Sequence, residues 1–211
     1  MKYSYITIEG NIGSGKTTLS KMIAAECNGK LVLERFEDNS FLPKFYKDPE
    51  KYAFPLEMSF LADRFQQLKT EVTDRDIFTS FTIADYFINK SLIFAKNNLQ
   101  NDEFQLYARL FEIINGSLPK PGLIVYLFNT VENLLSNIRK RGRNYEQEIS
   151  YEYLANIQQG YFDYFRTMKN QRVVIIDTQS IDFVKNSNDY DKIISVIEKE
   201  YNFGIHRITF L

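Results

Sequence analysis

Apolar residues along this chain alternate between two spacings. Short runs rich in Ile, Val, Leu and Tyr stand at Tyr3–Ile8, Leu31–Leu33, Ile77–Ala84, Leu123–Phe128 and Val173–Ile176. Between them the apolar positions recur every three to four residues, which predicts helices over Thr17–Glu26, Tyr52–Lys69, Tyr86–Lys96, Glu103–Asn115, Val131–Arg139, Tyr151–Met168 and Tyr190–Tyr201. Continuous apolar strands alternating with helices are the pattern of an α/β fold, here a five-stranded parallel sheet flanked by helices. No repeat, low-complexity tract or Gly/Ser linker interrupts the 211 residues, and "LPKPG" at 118–122 reads as the turn into the fourth strand. The expectation is one domain over 1–211.

Composition narrows the partners. Lys and Arg number 26 against 27 Asp and Glu, a net charge of −1, so electrostatics gives no reason to expect nucleic acid or an anionic membrane. Basic residues do cluster at Arg139–Arg143. Single Cys and His residues, Cys27 and His206, exclude an intrachain disulfide, a thiolate zinc site and a His-dependent triad. No apolar run approaches 18 residues and "MKYSYITIEG" leads directly into a strand, so the expectation is a cytoplasmic protein. The 14 Tyr and 18 Phe, among them Tyr161, Phe162, Tyr164 and Phe165 at helical spacing, read as core or subunit interface rather than a base-stacking surface.

The first strand ends in "EGNIGSGKTT". Gly10, Asn11, Ile12, Gly13, Ser14, Gly15, Lys16, Thr17 and Thr18 satisfy the phosphate-loop spacing between a strand and a helix. Glycines let backbone amides turn inward into a nest of donors, and the next helix aims its positive end at the same point. Lys16 is expected on the β- and γ-phosphates of ATP, and the Thr17 hydroxyl on Mg²⁺. Glu34 directly follows the second strand, at the carboxyl edge where open α/β sheets bind ligands, and could take the proton of an attacking hydroxyl.

In these residues and in those that follow, the chain resembles the deoxyribonucleoside kinase family. The resemblance is carried by "EGNIGSGKTTL", by "LE" after the second strand, by "FYKDPEKYAFPLE" and by "IRKRGRNYE". It implies a phosphate-loop fold whose first strand is central, with the Leu31–Leu33 and Ile77–Ala84 strands on one side of it, as right-handed crossovers also require. By position it makes Glu34 the general base on the sugar 5′-hydroxyl and Tyr46 a partner of the 3′-hydroxyl. Glu57 would face the base edge. Arg64, two helical turns on and so on the same helix face, would also reach toward the base. Arg139, Arg141 and Arg143 would form an arginine-rich lid over the phosphates, with Glu146 opposite Tyr46. The resemblance further implies a homodimer.

Two departures stand out. Glu57 stands where the family usually carries Gln, and a carboxylate only accepts hydrogen bonds. After the third strand the family has an acid followed by Arg-Ser, whereas this chain reads Asp85-Tyr86-Phe87. Asp85 can serve Mg²⁺, but the arginine is missing, with Arg35 and the lid arginines as candidates to replace it. Asp74-Arg75 in "DRDIFTS" resembles a thymidylate kinase motif, yet it precedes the third strand, at the wrong end of the sheet for phosphates.

The leading expectation is therefore ATP- and Mg²⁺-dependent phosphorylation of a deoxynucleoside 5′-hydroxyl, with a purine preferred and deoxyadenosine and deoxyguanosine both open. The alternatives are a nucleoside monophosphate kinase or a non-catalytic nucleotide-binding regulator.

Overall fold

The computed structural model describes residues 1–36, 39–73 and 77–210. Among these, six strands form one sheet: β1 (Tyr5–Gly10), β2 (Gly29–Val32), β3 (Phe81–Ala84), β4 (Leu123–Phe128), β5 (Arg172–Asp177) and β6 (Gly204–Ile208). Their order is β2-β3-β1-β4-β5-β6, and every neighbouring pair runs parallel. The β1 strand is central, with β3 and β2 on one side, as expected. The strand count is six rather than five. The sixth, "GIHRI", is an edge strand with only one neighbour, β5, and its residues alternate between half-buried and exposed, so it lacks the apolar run that marks a central strand.

Alternate residues of each strand feed opposite faces. Val125 and Leu127 pack with Leu19 and Ile23 of α1 (Lys16–Glu26) and with Ile193 and Val196 of α8 (Ser187–Ile197). Ile124 and Tyr126 pack on the other face against Ile157, Tyr161 and Phe165 of α7 (Tyr151–Thr167). A neighbouring cluster joins Leu61 and Leu68 of α3 (Pro49–Glu71) to Ala95 of α4 (Lys90–Asn98) and to Tyr107 and Phe111 of α5 (Asn101–Asn115). Two sheet faces thus bury two layers of helices, as the period-2 pattern within strands requires.

Three boundaries differ from expectation for local reasons. The third strand begins at Phe81, not Ile77, since Ile77 and Phe78 are 87% and 80% exposed; Asp74-Arg75 lies outside the described residues. A short helix α2 (Leu42–Lys47) precedes α3, whose N-terminus is capped by the Asp48 side chain accepting from Lys51 N. The helix expected from Tyr86 begins only at Lys90, because the Phe87 N–H is spent on the Glu9 carboxylate at 2.7 Å and residues 85–89 run as a buried strap.

Candidate active site

The carboxyl ends of β1, β2 and β3 meet at one point. After β1 the backbone turns through Gly13 and Gly15, with φ of +83° and +90°, values that favour glycine. A Cβ on Gly13 would also stand 2.7 Å from the Leu134 carbonyl of α6 (Val131–Arg141), so only glycine lets that helix lie against the loop. Asn137 fastens the contact, its Nδ2 donating to the Gly13 carbonyl at 3.0 Å. The loop thus opens at the N-terminus of α1, and the buried Ser14 hydroxyl has no hydrogen-bond partner among the described residues. Lys16 reaches back to the Asn11 carbonyl at 2.9 Å. Burial first, then the neighbouring Lys90 charge, lowers its ammonium to a pKa of about 8. Donors, a lysine and a buried hydroxyl without a partner form a cradle for phosphate oxygens.

Asp85 ties the three strand ends together. Its Oδ2 accepts from Thr17 Oγ1 at 2.5 Å and its Oδ1 from the Glu34 backbone N–H at 2.8 Å. Thr17 and Asp85 thereby present two adjacent hard oxygens beside the phosphate cradle, the donor type that a small divalent cation takes.

Glu34, just beyond β2, is held by two cations. Its Oε1 accepts from Arg64 Nε at 2.8 Å and lies 2.6 Å from Arg64 Nη2 as an ion pair, and its Oε2 accepts from Lys90 Nζ at 2.7 Å. Burial alone would raise this carboxyl, but Lys90 and Arg64 outweigh it and hold the pKa at about 2. The carboxylate is therefore ionised at neutral pH and fixed at both oxygens.

Arg64 shares a face of α3 with Glu57, as its spacing implies, but not the same end of the pocket. Seven residues advance a helix by about 10 Å, so Arg64 sits at the phosphate end, bonded to Glu34 and to Ser91 Oγ, and stacked over Phe60. Glu57 lies at the far end, 1% exposed. Its Oε1 accepts from Asn98 Nδ2 at 2.7 Å, while its Oε2 is buried without a partner among the described residues. Burial raises its pKa to about 7 against the pull of Arg64 and Asn98.

The lid comprises the end of α6 and a 3₁₀ turn at Asn144–Glu146. Arg141 pairs with Glu146, which Arg143 also approaches at 3.4 Å. The Arg143 guanidinium lies 4.3 Å over the Phe36 ring, and Tyr46 stacks on Tyr145. Arg141 and Arg143 both line the site, but Arg139 lies outside it, on an exposed part of α6. Because α6 continues to Arg141, residues two apart differ by about 200° around the helix and cannot share a face. Lys140 faces the cleft in its place. Arg35 turns away to Glu71 at 2.5 Å.

Two cavities meet here. One is a cleft of about 990 Å³ running from the phosphate loop past Asn133 and Lys140 to Gln179 and Phe183. The other is a pocket of about 120 Å³ lined by Tyr46, Glu57, Arg64, Asn98 and Tyr153. They share Lys16, Thr17, Glu34, Arg141 and Arg143 as a common wall. A donor in the cleft and an acceptor in the pocket would touch across that wall. Lys90, Asn98, Tyr153 and Lys140 were not singled out from sequence. The signal available for Lys90 was a lone charge inside the apolar run "YFINKSLIFA".

Comparison with known proteins identifies the fold and the family. A solved structure of deoxyadenosine kinase from M. mycoides with bound dATP shares the fold, with a TM-score of 0.79 and 23% identity over 92% of this chain and 100% of the other. A deoxyguanosine kinase of Bacillus subtilis (strain 168) is 34% identical over 200 residues, 92% of this chain and 96% of its own. A deoxyadenosine/deoxycytidine kinase of the same organism is 30% identical over 205 residues, 93% and 92% of the two chains. The family model described as deoxynucleoside kinase matches residues 6–201, a span that takes in the phosphate loop, the paired carboxylates at the sheet edge and the lid, so the chain belongs to the deoxynucleoside kinase family and is a kinase of deoxynucleosides.

Proposed function

We propose that the chain transfers the γ-phosphoryl group of ATP to the 5′-hydroxyl of a purine deoxynucleoside, with deoxyguanosine preferred. The observation that carries the base preference is the buried Oε2 of Glu57 in the pocket wall, without a hydrogen-bond partner among the described residues. Guanine offers two adjacent donors, N1–H and the 2-amino group, to an ionised carboxylate. Thymine offers one donor between two carbonyl oxygens that would face the negative charge. Adenine needs the carboxyl protonated, or a water, to supply a proton to its N1. The 34% identical relative is a deoxyguanosine kinase, which supports the same choice.

In this reading the nucleoside lies along α4, its 5′-oxygen near Lys90 and Glu34 and its base beside Asn98 and Glu57. Eight residues of helix separate Lys90 from Asn98, about 12 Å. Glu34 takes the 5′-hydroxyl proton as the oxygen–phosphorus bond forms and the bond to the bridging β,γ-oxygen breaks, releasing ADP. Lys16 and the loop amides bind the β- and γ-phosphates, and Arg141 and Arg143 stabilise charge on the phosphoryl group in transfer. Thr17 Oγ1 and Asp85 would hold Mg²⁺, whose chemistry there is to neutralise charge on the same two phosphates. Tyr46 and Glu146 hold the 3′-hydroxyl.

The test is kcat/KM for the four deoxynucleosides, before and after Glu57→Gln. Deoxyguanosine should lead and lose its lead in the variant. Thymidine as the best substrate of the unmutated protein, or a ranking that the substitution leaves unchanged, refutes the base assignment.

A further inference from the structure

Lys90 is the first residue of α4, and at 5% exposure it is nearly as buried as the core. Its place is set by a network that starts from the buried end of β1. Glu9 of β1 accepts from the Phe87 N–H at 2.7 Å and from the Tyr161 hydroxyl of α7 at 2.8 Å. That contact holds the strap after β3 extended until the Phe87 carbonyl accepts from Lys90 N at 3.2 Å and the helix starts. The side chain then runs past the Phe94 ring, 5.5 Å from its centroid, to a single carboxylate oxygen, Glu34 Oε2.

A buried ammonium is costly unless paired and hydrogen-bonded. What this one accomplishes is visible in how Glu34 is shared. Arg64 meets Glu34 at Oε1 alone, through the Nε hydrogen bond and the Nη2 ion-pair contact, so by itself it would leave the carboxylate free to swing about that oxygen. Lys90 takes the other oxygen from the opposite helix, α4 against α3, and two cations on two oxygens fix the plane of the group. A base must stand within about 2.6–3.2 Å of the proton it removes, and an error of about 1 Å can cost about a hundredfold in rate.

We propose that Lys90 is a positioning residue for catalysis: by holding Glu34 Oε2 while Arg64 holds Oε1, it locks the carboxylate in the orientation that receives the 5′-hydroxyl proton. The inference rests on the assignment of Glu34 as the base, and the two can fail separately.

The experiment is a double-mutant cycle between Lys90 and Glu34 in the full chain, with Lys90→Arg as the conservative variant. Melting curves establish that each variant is folded. Lys90→Gln replaces Lys90→Met in the cycle where the methionine variant does not fold. Turnover of deoxyguanosine is read together with its Kd from equilibrium dialysis. Lys90→Met should lower kcat by about 10- to 100-fold with the Kd changed less than about threefold, the range set by misplacement of a base. Lys90→Arg should regain most of the loss. In the Glu34→Gln background the same Lys90 substitution should cost less than about threefold further, because groups that act as one unit are non-additive. Equal losses in both backgrounds, Lys90→Arg as poor as Lys90→Met, or a loss confined to Kd would overturn the role of Lys90 while leaving Glu34 in place. Unchanged turnover in Glu34→Gln alone would remove both.

Discussion

Arg64 meets one oxygen of Glu34 twice, donating from Nε at 2.8 Å and forming an ion-pair contact from Nη2 at 2.6 Å, although the two residues lie thirty positions apart on different elements. The pair joins α3 to the end of β2, and its partner bond from Arg64 Nη1 to Ser91 Oγ at 2.7 Å extends the joint to α4. Arg64 is 4% exposed, so the ion pair is dry on its cationic side. Removing one member of a buried pair typically costs about 3–5 kcal/mol, because the other charge stays buried. Arg64→Met should fall toward the lower end, since Lys90 remains on Glu34, and should also lower turnover by freeing Oε1. Thermal or denaturant unfolding of the variant checks the stability, and an unchanged midpoint would mean that α3 does not depend on this joint.

Glu34→Gln keeps the shape of the proposed base and removes its capacity to take a proton. General base catalysis is commonly worth about 10²–10⁴-fold, so kcat should fall by that range while the nucleoside Kd stays close to its original value. Single-turnover measurements with deoxyguanosine separate the chemical step from product release. A variant that turns over at near the original rate would show that the proton leaves by another route.

Much of the fold and part of the site were legible in the sequence, and the division has a physical cause. Phosphate loops are local: Gly10 to Thr18 declare themselves because one strand, one turn and one helix make the whole cradle. Residues such as Glu34 and Asp85 were found because strand ends mark the sheet edge. Lys90 and Asn98 were not, since what matters about them is the neighbour that each meets across α3, and no spacing within "YFINKSLIFAKNN" encodes that. Arg64 shows the intermediate case. Periodicity placed it on the Glu57 face of α3, but not its bond to Glu34, which lies on another element thirty positions away. Glu9 was passed over as the end of a strand, although its buried hydrogen bond from the Phe87 N–H holds the strap that leads into α4.

Tyr46 and Glu146 come from α2 and from the 3₁₀ turn of the lid, and Glu146 is buried with Arg141 and Arg143 around it. A sugar 3′-hydroxyl between them would both accept and donate. A substrate lacking it leaves buried polar groups unpaired, and sites built to bond a hydroxyl reject the analogue without it strongly. The 3′-deoxy analogue of deoxyguanosine should therefore lose at least about tenfold in kcat/KM, or roughly 1.4 kcal/mol. Glu146→Gln should shrink that difference. Equal efficiency with both nucleosides would show that no such clamp forms.

Glu57 makes base choice depend on pH. Burial raises its carboxyl to about 7, opposed by Arg64 and Lys90; Asn98 from α4 favours the ionised form through Oε1, and Glu34 adds a like charge that disfavours it. The Tyr107 and Tyr153 phenols, from α5 and α7, are themselves pushed up by burial and the nearby Glu57 charge and stay neutral throughout. An acid whose pKa is raised by folding binds its proton more tightly in the native state. It therefore adds stability at low pH, and that contribution is lost as pH rises from about 4.5 through about 7. Substrate preference moves the same proton. Above pH 7 the ionised carboxylate offers acceptors to the N1–H and 2-amino group of guanine. Below it, the protonated carboxyl can donate to N1 of adenine while accepting from the 6-amino group. The ionised fraction rises about tenfold from pH 6 to pH 8 while the protonated fraction falls about tenfold, so the ratio of kcat/KM for deoxyguanosine to that for deoxyadenosine should rise by up to roughly a hundredfold, since these profiles report ionisations of the free enzyme. Glu57→Gln should flatten it. A ratio that is level with pH in the unmutated protein would mean that Glu57 does not read the base through its proton, and persistence of the slope in the glutamine variant would place the titrating group elsewhere.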